Sequence, residues 1–355
     1  MECPHIPEIS RTEFSKRIHN TLIAERTPYS GVIELSFRCN LKCVHCYISH
    51  EPAIKELTYQ EICDILDAIV NEGCLWLLIT GGEPLIRSDF LDIYKYAKKK
   101  GFIITLFTNG TLITEEIADY LKKWPPYTVE ITLHGINKEI YEKITGVKDS
   151  FEKCMKGIHL LLERKIPLNL KTVVMNLNKD EIGEIKRYVK GLGLDFRFDA
   201  LIQAGLGDNK NPIKVRISPE EAVKLDVEDE ERAKEWIEFC QKFWGPVHSG
   251  NLYNCGAGLN SFHIDPYGKM SVCGTSRLPD YDLLQGSFQD GYYNFFPKIL
   301  AQKLKDKKNK CDQCEMLALC GQCPGWAQLE NGDQEKPVEY LCQISHLRAK
   351  AFKRR

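Results

Sequence analysis

Net charge is almost absent from this chain: 48 Lys and Arg stand against 49 Asp and Glu, leaving −1 over 355 residues. That balance offers no basic field for a nucleic acid and none to draw the protein onto an anionic membrane. The basic stretches that exist, residues 303–310 and 350–355, are short enough to read as solvated helix faces. No apolar run approaches the ~20 residues needed to span a bilayer. The N-terminus, Met1 to Glu8, lacks a basic region followed by an apolar one, so no secretory signal is read there. Internal repeats and low-complexity tracts are missing as well. These absences leave the expectation of a soluble, cytoplasmic chain, long enough for two domains with a large core.

Cysteine is what the chain has in excess. Fifteen of them in a reducing compartment favour metal ligation over disulfides. Cys39, Cys43 and Cys46 form a C-x3-C-x2-C run directly after a strand-like stretch, residues 32–37. Three closely spaced thiolates on one loop suit a cubic [4Fe–4S] cluster, whose fourth iron is then open to a small molecule. A zinc site would want a fourth Cys or His nearby, and plain buried thiols are the other alternative. The run resembles the motif of the radical S-adenosylmethionine (SAM) enzymes. That resemblance implies a SAM whose amino and carboxylate groups chelate the open iron. Electron transfer into its sulfonium would then break a C–S bond and release a 5′-deoxyadenosyl radical.

Residues 1–30 read as polar and irregular, with Pro4, Pro7 and Pro28 breaking any long element. From residue 32 onward, strand, loop and helix alternate. Strands are expected at 32–37, 75–80, 102–107, 127–133, 168–174 and 194–201. Thr58 with Glu61 forms a capping box, Ser88 or Asp89 caps a second helix, and Asn178 with Glu181 caps a later one. Six βα repeats point to an α/β barrel or an open doubly wound sheet. The resemblance selects a partial (β/α)6, TIM-like barrel. The cysteine run, Gly81-Gly82-Glu83-Pro84 and Thr108-Asn109-Gly110 follow strands one, two and three, at the ends where such sheets bind ligands. The expected organisation is an N-terminal extension over 1–30 and a barrel core over 31–203. A linker and bridging helix follow over 204–250, the helix opened by Ser218-Pro219, then a loop-rich domain over 251–355. One hairpin is expected there, around residues 265–268.

Seven further cysteines lie in that last region, which has little regular structure and reads as needing metal to hold it. It resembles the SPASM extension of radical SAM enzymes. The pattern is met by Cys255, by Gly268 with four residues between it and Cys273, by Cys311-x2-Cys314-x5-Cys320, then by Cys323 and Cys342. One spacing departs, since only Gly321 and Gln322 separate Cys320 from Cys323 where the family has three residues. The resemblance implies two auxiliary [4Fe–4S] clusters, one on Cys311, Cys314, Cys320 and Cys342, the other on Cys255, Cys273 and Cys323. Cys240 is a weak candidate for a fourth ligand to the second. Zinc is the alternative, because C-x2-C units also build tetrahedral sites. Cys3, Cys63, Cys74 and Cys154 read as ordinary thiols.

The Gly81-Gly82-Glu83 turn resembles the family's GGE motif, whose backbone and acidic side chain contact the SAM ammonium. Tyr47 is expected near the adenine, and Asn109, Thr132 and His134 near the ribose. Lys171 and Arg197 are possible carboxylate partners. SPASM proteins mostly modify peptides or proteins, so the expected activity is an oxidative peptide maturase forming a thioether or carbon–carbon cross-link. The sulfatase-maturase subclass carries an acidic residue after the Cys of its G-x4-C unit; here that residue is Gly274, which disfavours it. A haem precursor or other small molecule is the alternative substrate, and a non-catalytic zinc or iron–sulfur adaptor the alternative class. The 38 residues before Cys39 are too few for a leader-binding winged helix of roughly 80 residues. A separate leader-binding protein, or no leader, is expected, with a flavodoxin or ferredoxin as electron donor.

Overall fold

The computed structural model describes residues 10–48, 55–245, 250–305, 310–311 and 314–353. Six parallel strands run in sequence order: β1 Ser30–Glu34, β2 Trp76–Thr80, β3 Ile103–Thr108, β4 Thr128–Thr132, β5 Leu168–Val173 and β6 Phe196–Asp199. Helix α1 is Arg11–Ala24. The strands alternate with α2 Tyr59–Asn71, α3 Phe90–Lys99, α4 Glu115–Lys123, α5 Lys138–Thr145, α6 Ser150–Glu163 and α7 Ile182–Gly191. Apolar faces of these helices close over the sheet, with Ile69, Tyr94, Leu121, Ile158 and Val189 fully buried. This is the α/β, TIM-like partial barrel, the one of the two arrangements open to six βα repeats that the resemblance selects.

The sheet does not stop at β1. Strand β7, Ser261–Ile264, pairs with β1 in parallel (Ser30 with Ser261 through Ile33 with Ile264), and β8 Lys269–Ser271 and β9 Tyr281–Asp282 continue it antiparallel. Gly31 makes this docking possible, because a Cβ there would lie 2.3 Å from the Phe262 ring. The cysteine-rich region thus begins as an extension of the barrel sheet. Helices α8 Pro219–Glu228 and α9 Glu230–Lys242 bridge to it; α10 Phe296–Leu300, α11 Pro324–Asn331 and α12 Glu339–Phe352 complete the chain, with α12 packed on α8 and α9.

Three local expectations are corrected. Residues 11–24 form a helix where an irregular segment was expected: the prolines all lie outside it, and Ser10 caps it by accepting from the Glu13 amide. Asn178 does not cap a helix. Its Oδ1 accepts from the Met175 amide and its Nδ2 donates to the carbonyls of His134 and Val173, tying β4 to β5 beyond their ends. Asp89 makes no side-chain cap either; it holds the buried Arg87, which donates to the Leu35 and Leu57 carbonyls. No disulfide and no helix long and apolar enough to cross a membrane occur among the described residues.

Candidate active site

A cavity of about 510 Å³ opens at the C-terminal ends of β1 to β5. Cys39, Cys43, Cys46, Tyr47, Gly81, Gly82, Asn109, Thr132 and His134 all line it. The cysteine loop is pinned from outside: the amides of Lys42 and Val44 donate to the carbonyls of Thr145 and Ile144 at the end of α5. Burial pushes all three thiols up, and for Cys39 and Cys43 the charge of neighbouring thiols adds to it. A buried set of mutually repelling thiols ionises only around a cationic centre, which is what a metal cluster provides. The donor set therefore fits a three-ligand iron–sulfur cluster.

The Gly81–Glu83 turn is stitched to this loop. The amides of Gly82 and Glu83 donate to the carbonyls of Ser36 and Arg38, at 2.7 and 3.0 Å. Both glycines are required by close approach. Gly81 has φ +143 and a Cβ there would meet the Ser36 carbonyl oxygen at 2.4 Å; one on Gly82 would meet that of Arg38 at 2.5 Å. Glu83, wholly buried, sits behind the turn and accepts from the Thr108 hydroxyl and the amides of Asn109 and Leu85. Burial outweighs those bonds and pushes its carboxyl up to about 7. Asn109 reaches the other way, its Nδ2 donating to Asn40 Oδ1 at 2.9 Å and lying 3.7 Å from Cys39 Sγ. Gly82→Ala is expected to displace the cysteine loop, to cost about 1–3 kcal/mol of stability and to abolish SAM binding. Equilibrium dialysis with labelled SAM and a thermal melt check this; unchanged binding would mean the turn and loop are not mechanically linked.

Four cavity residues escaped sequence reasoning. His45, inside the cysteine run, stacks edge-on to His134 with ring centroids 4.8 Å apart. Burial holds both imidazoles down, His45 at about 4, so they are neutral. The other three are Glu34, His263 and Arg277. Glu34, 1% exposed at the end of β1, accepts from His263 Nε2 at 3.1 Å, from Arg277 at 2.6 and 3.0 Å and from the Tyr47 hydroxyl at 2.8 Å. Burial raises its carboxyl, but His263 and Arg277 outweigh burial and hold it at about 2. Tyr47 is therefore committed to this network while lining the cavity. A Glu in the run Val32-Ile33-Glu34-Leu35 and a His in Ser261-Phe262-His263-Ile264 were the available signals, charged or polar residues inside apolar strands. Arg277 gave none. Lys171 and Arg197 both pair with Glu130, at 3.2 and 2.6 Å.

The later cysteines fall into two neighbourhoods. Cys255, Cys273 and Cys323 face one another, and Cys273 also lines the reaction cavity. Cys311, Cys314, Cys320 and Cys342 form the other set. A cavity of about 420 Å³ lined by Cys255, Cys311, Cys320 and Cys323 lies between them. Cys240 is buried against Leu319 and Phe352, and its resolved electrostatic neighbour is Arg348 rather than a thiol. Tetrahedral zinc, with Zn–S near 2.3 Å, needs its sulfurs ~4 Å apart. Among the described residues no three cysteine sulfurs come within 4.8 Å of one another. No three of them are therefore gathered at tetrahedral zinc spacing in this structure.

Residues 33–189 match the model of the radical SAM superfamily. The chain is 27% identical to the AdoMet-dependent heme synthase of Methanosarcina barkeri, over 86% of this chain and 94% of that protein. It is 29% identical to the antilisterial bacteriocin subtilosin biosynthesis protein AlbA of Bacillus subtilis, over 83% of this chain and 67% of that one. In fold it superposes on Streptococcus suis SuiB, solved bound to the precursor peptide SuiA, with a TM-score of 0.70 and 18% identity, over 97% of this chain and 84% of that one. With the cysteine run and the GGE turn both inside the matched segment, residues 33–189 form a radical SAM domain, the family whose members use a [4Fe–4S] cluster and SAM.

Proposed function

We propose that the enzyme oxidatively matures a ribosomally made peptide, forming a thioether or carbon–carbon cross-link, with Cys39, Cys43 and Cys46 holding the SAM-binding cluster. When bound, that cluster and SAM supply a deoxyadenosyl radical able to take hydrogen from an unactivated carbon. The chain's own residues bind and orient. Gly81 and Gly82 let backbone approach the SAM methionine, Glu83 braces their turn from behind through Thr108, Asn109 and Leu85 rather than meeting the ammonium itself, and Asn109, Thr132, His134 and Tyr47 shape the wall for the nucleoside. The observation that carries the oxidative part is Cys273 on the wall of the reaction cavity. A cluster on Cys255, Cys273 and Cys323 would take the electron left on the substrate, and one on Cys311, Cys314, Cys320 and Cys342 would pass it on. The relationship to AlbA supports a peptide as substrate. Under this reading the barrel core spans 31–203 and the auxiliary domain 251–355, and the enzyme works in the cytoplasm with a flavodoxin or ferredoxin.

A porphyrin substrate is the second reading, favoured by a heme synthase matching over nearly the whole of both chains. Formylglycine formation is not favoured: Gly274 brings no carboxylate to its position, where even a Cβ would lie 3.3 Å from the His263 ring. The test is anaerobic reconstitution with SAM and a reductant, followed by mass spectrometry of short peptides encoded beside the gene. Loss of paired hydrogens from a peptide supports maturation. Conversion of an iron porphyrin with every peptide left intact sinks it.

A further inference from the structure

The six-stranded barrel is open, and β6 is its edge strand. Against that edge, between β5, β6 and helices α9 and α12, lies a second cavity of about 680 Å³. It shares Lys171 and Val173 with the reaction cavity, so the two meet at the Lys171 side chain. Four cations line it: Lys171, Arg197, Arg232 and Arg348. One acid, the exposed Asp199, lines it with them.

The cations are arranged two to a carboxylate. Glu130 Oε2 accepts from Lys171 Nζ at 3.2 Å and from Arg197 Nη2 at 2.6 Å. The fully buried Asp226 takes Arg232 on one oxygen, at 2.6 and 2.9 Å, and Arg348 on the other, at 2.9 Å. Each carboxylate is thus outnumbered by its partners, and with Asp199 counted the cavity keeps a net positive charge. A pair of structural salt bridges would use one cation per acid; a surplus held in place by shared carboxylates is a preorganised anion site. Among the described residues Arg197 donates from Nη2 alone, and its side chain is 64% exposed, which leaves the rest of its planar fork for a second carboxylate. Trp236, 4.0 Å beneath the Arg348 guanidinium, and Phe239, 38% exposed, add apolar surface on the α9 side.

We infer that this lateral cavity binds a carboxylate group of the substrate, with Arg197 as its outer contact and Lys171 directing the attached carbon into the reaction cavity. The inference rests on the oxidative reading above and names the chemistry of its substrate: an acidic side chain or terminal carboxylate of a peptide, or the propionate of a porphyrin. The carboxylate is a handle at the open side of the barrel, separate from the atoms that react.

The probes are a pentaglutamate peptide, its pentaglutamine counterpart and an iron porphyrin bearing propionates, each titrated calorimetrically into reconstituted holoenzyme with SAM. Pentaglutamate is expected to bind where pentaglutamine does not, more weakly as salt is raised. Arg197→Glu should weaken binding at least about ten-fold, the effect of losing one charge-assisted contact and facing a like charge. Lys224→Glu, on an exposed turn of α8, should leave it unchanged. Iron content confirms that the variant is loaded, and Arg197→Gln replaces it if it is not. Porphyrin binding with the same dependence on Arg197, without binding of pentaglutamate, keeps the carboxylate site and assigns it to a porphyrin. Binding of neither acid, or binding indifferent to Arg197, overturns the inference. Because binding is read without turnover, this outcome is independent of whether any peptide is modified.

Discussion

Replacing Cys39, Cys43 and Cys46 together by alanine is expected to remove about four of about twelve irons and to reduce SAM cleavage to background. The size of the effect follows from where the three thiols sit. They converge on one cavity wall, held there by α5 on one side and by the Gly81–Glu83 turn on the other. Burial keeps them protonated in the absence of a cationic centre, so their ionised form goes with ligating one. Iron and sulfide analysis after anaerobic reconstitution, with 5′-deoxyadenosine measured by chromatography, checks both halves. About eight irons retained by the variant would place two [4Fe–4S] units on the later cysteines. Zinc in their stead, or no metal, would remove the auxiliary clusters from the proposal and with them the route for the substrate's electron. SAM cleavage surviving in the triple variant would sink the assignment of the site itself.

Much of the barrel was legible because its signals are local. Apolar runs of five or six residues mark β2 and β3 closely, since a parallel strand covered on both faces needs no alternation. The hairpin of β7 and β8 was readable from its Asp265-Pro266-Tyr267-Gly268 turn. Its position was not: β7 extends the barrel sheet by pairing with β1, more than two hundred residues earlier in the chain, and the only local trace is the absent side chain at Gly31. The site divides in the same way. The cysteine run and the GGE turn announce themselves by type and spacing. The Glu34 network does not, because His263 and Arg277 lie 229 and 243 residues from Glu34 and are brought to it by that strand pairing. Helix α1 was missed because prolines on either side of a segment were weighed as if they lay within it. Asn178 shows the limit of a capping rule: the same side chain that can cap a helix is spent here on two strand-end carbonyls.

Glu34→Gln is expected to destabilise the protein by about 3–5 kcal/mol, because it leaves the guanidinium of Arg277, 13% exposed, without its carboxylate. Glu34 joins β1 to the cysteine loop through Tyr47, to β7 through His263 and to the segment after Cys273 through Arg277. Arg277 in turn donates from Nε to the Gly274 carbonyl at 2.8 Å, so the carboxylate also steadies the loop carrying Cys273 against the reaction cavity. The pH dependence has a definite sign. With its folded value at about 2 against an ordinary value of 4.5, Glu34 contributes fully above pH 4.5 and loses that contribution as pH falls toward 2. The contribution is on the order of 3 kcal/mol. Denaturant midpoints measured on wild type and Glu34→Gln should therefore differ most near neutral pH and converge in acid. Subtracting the two curves cancels whatever acid does to the thiols. Removing both partners, as Glu34→Gln with Arg277→Met, should recover much of the loss, since an apolar pair costs less than one buried charge left alone. If the single variant matched wild type at neutral pH, the network would be a passive contact, and some other element would have to hold Cys273 beside the SAM site.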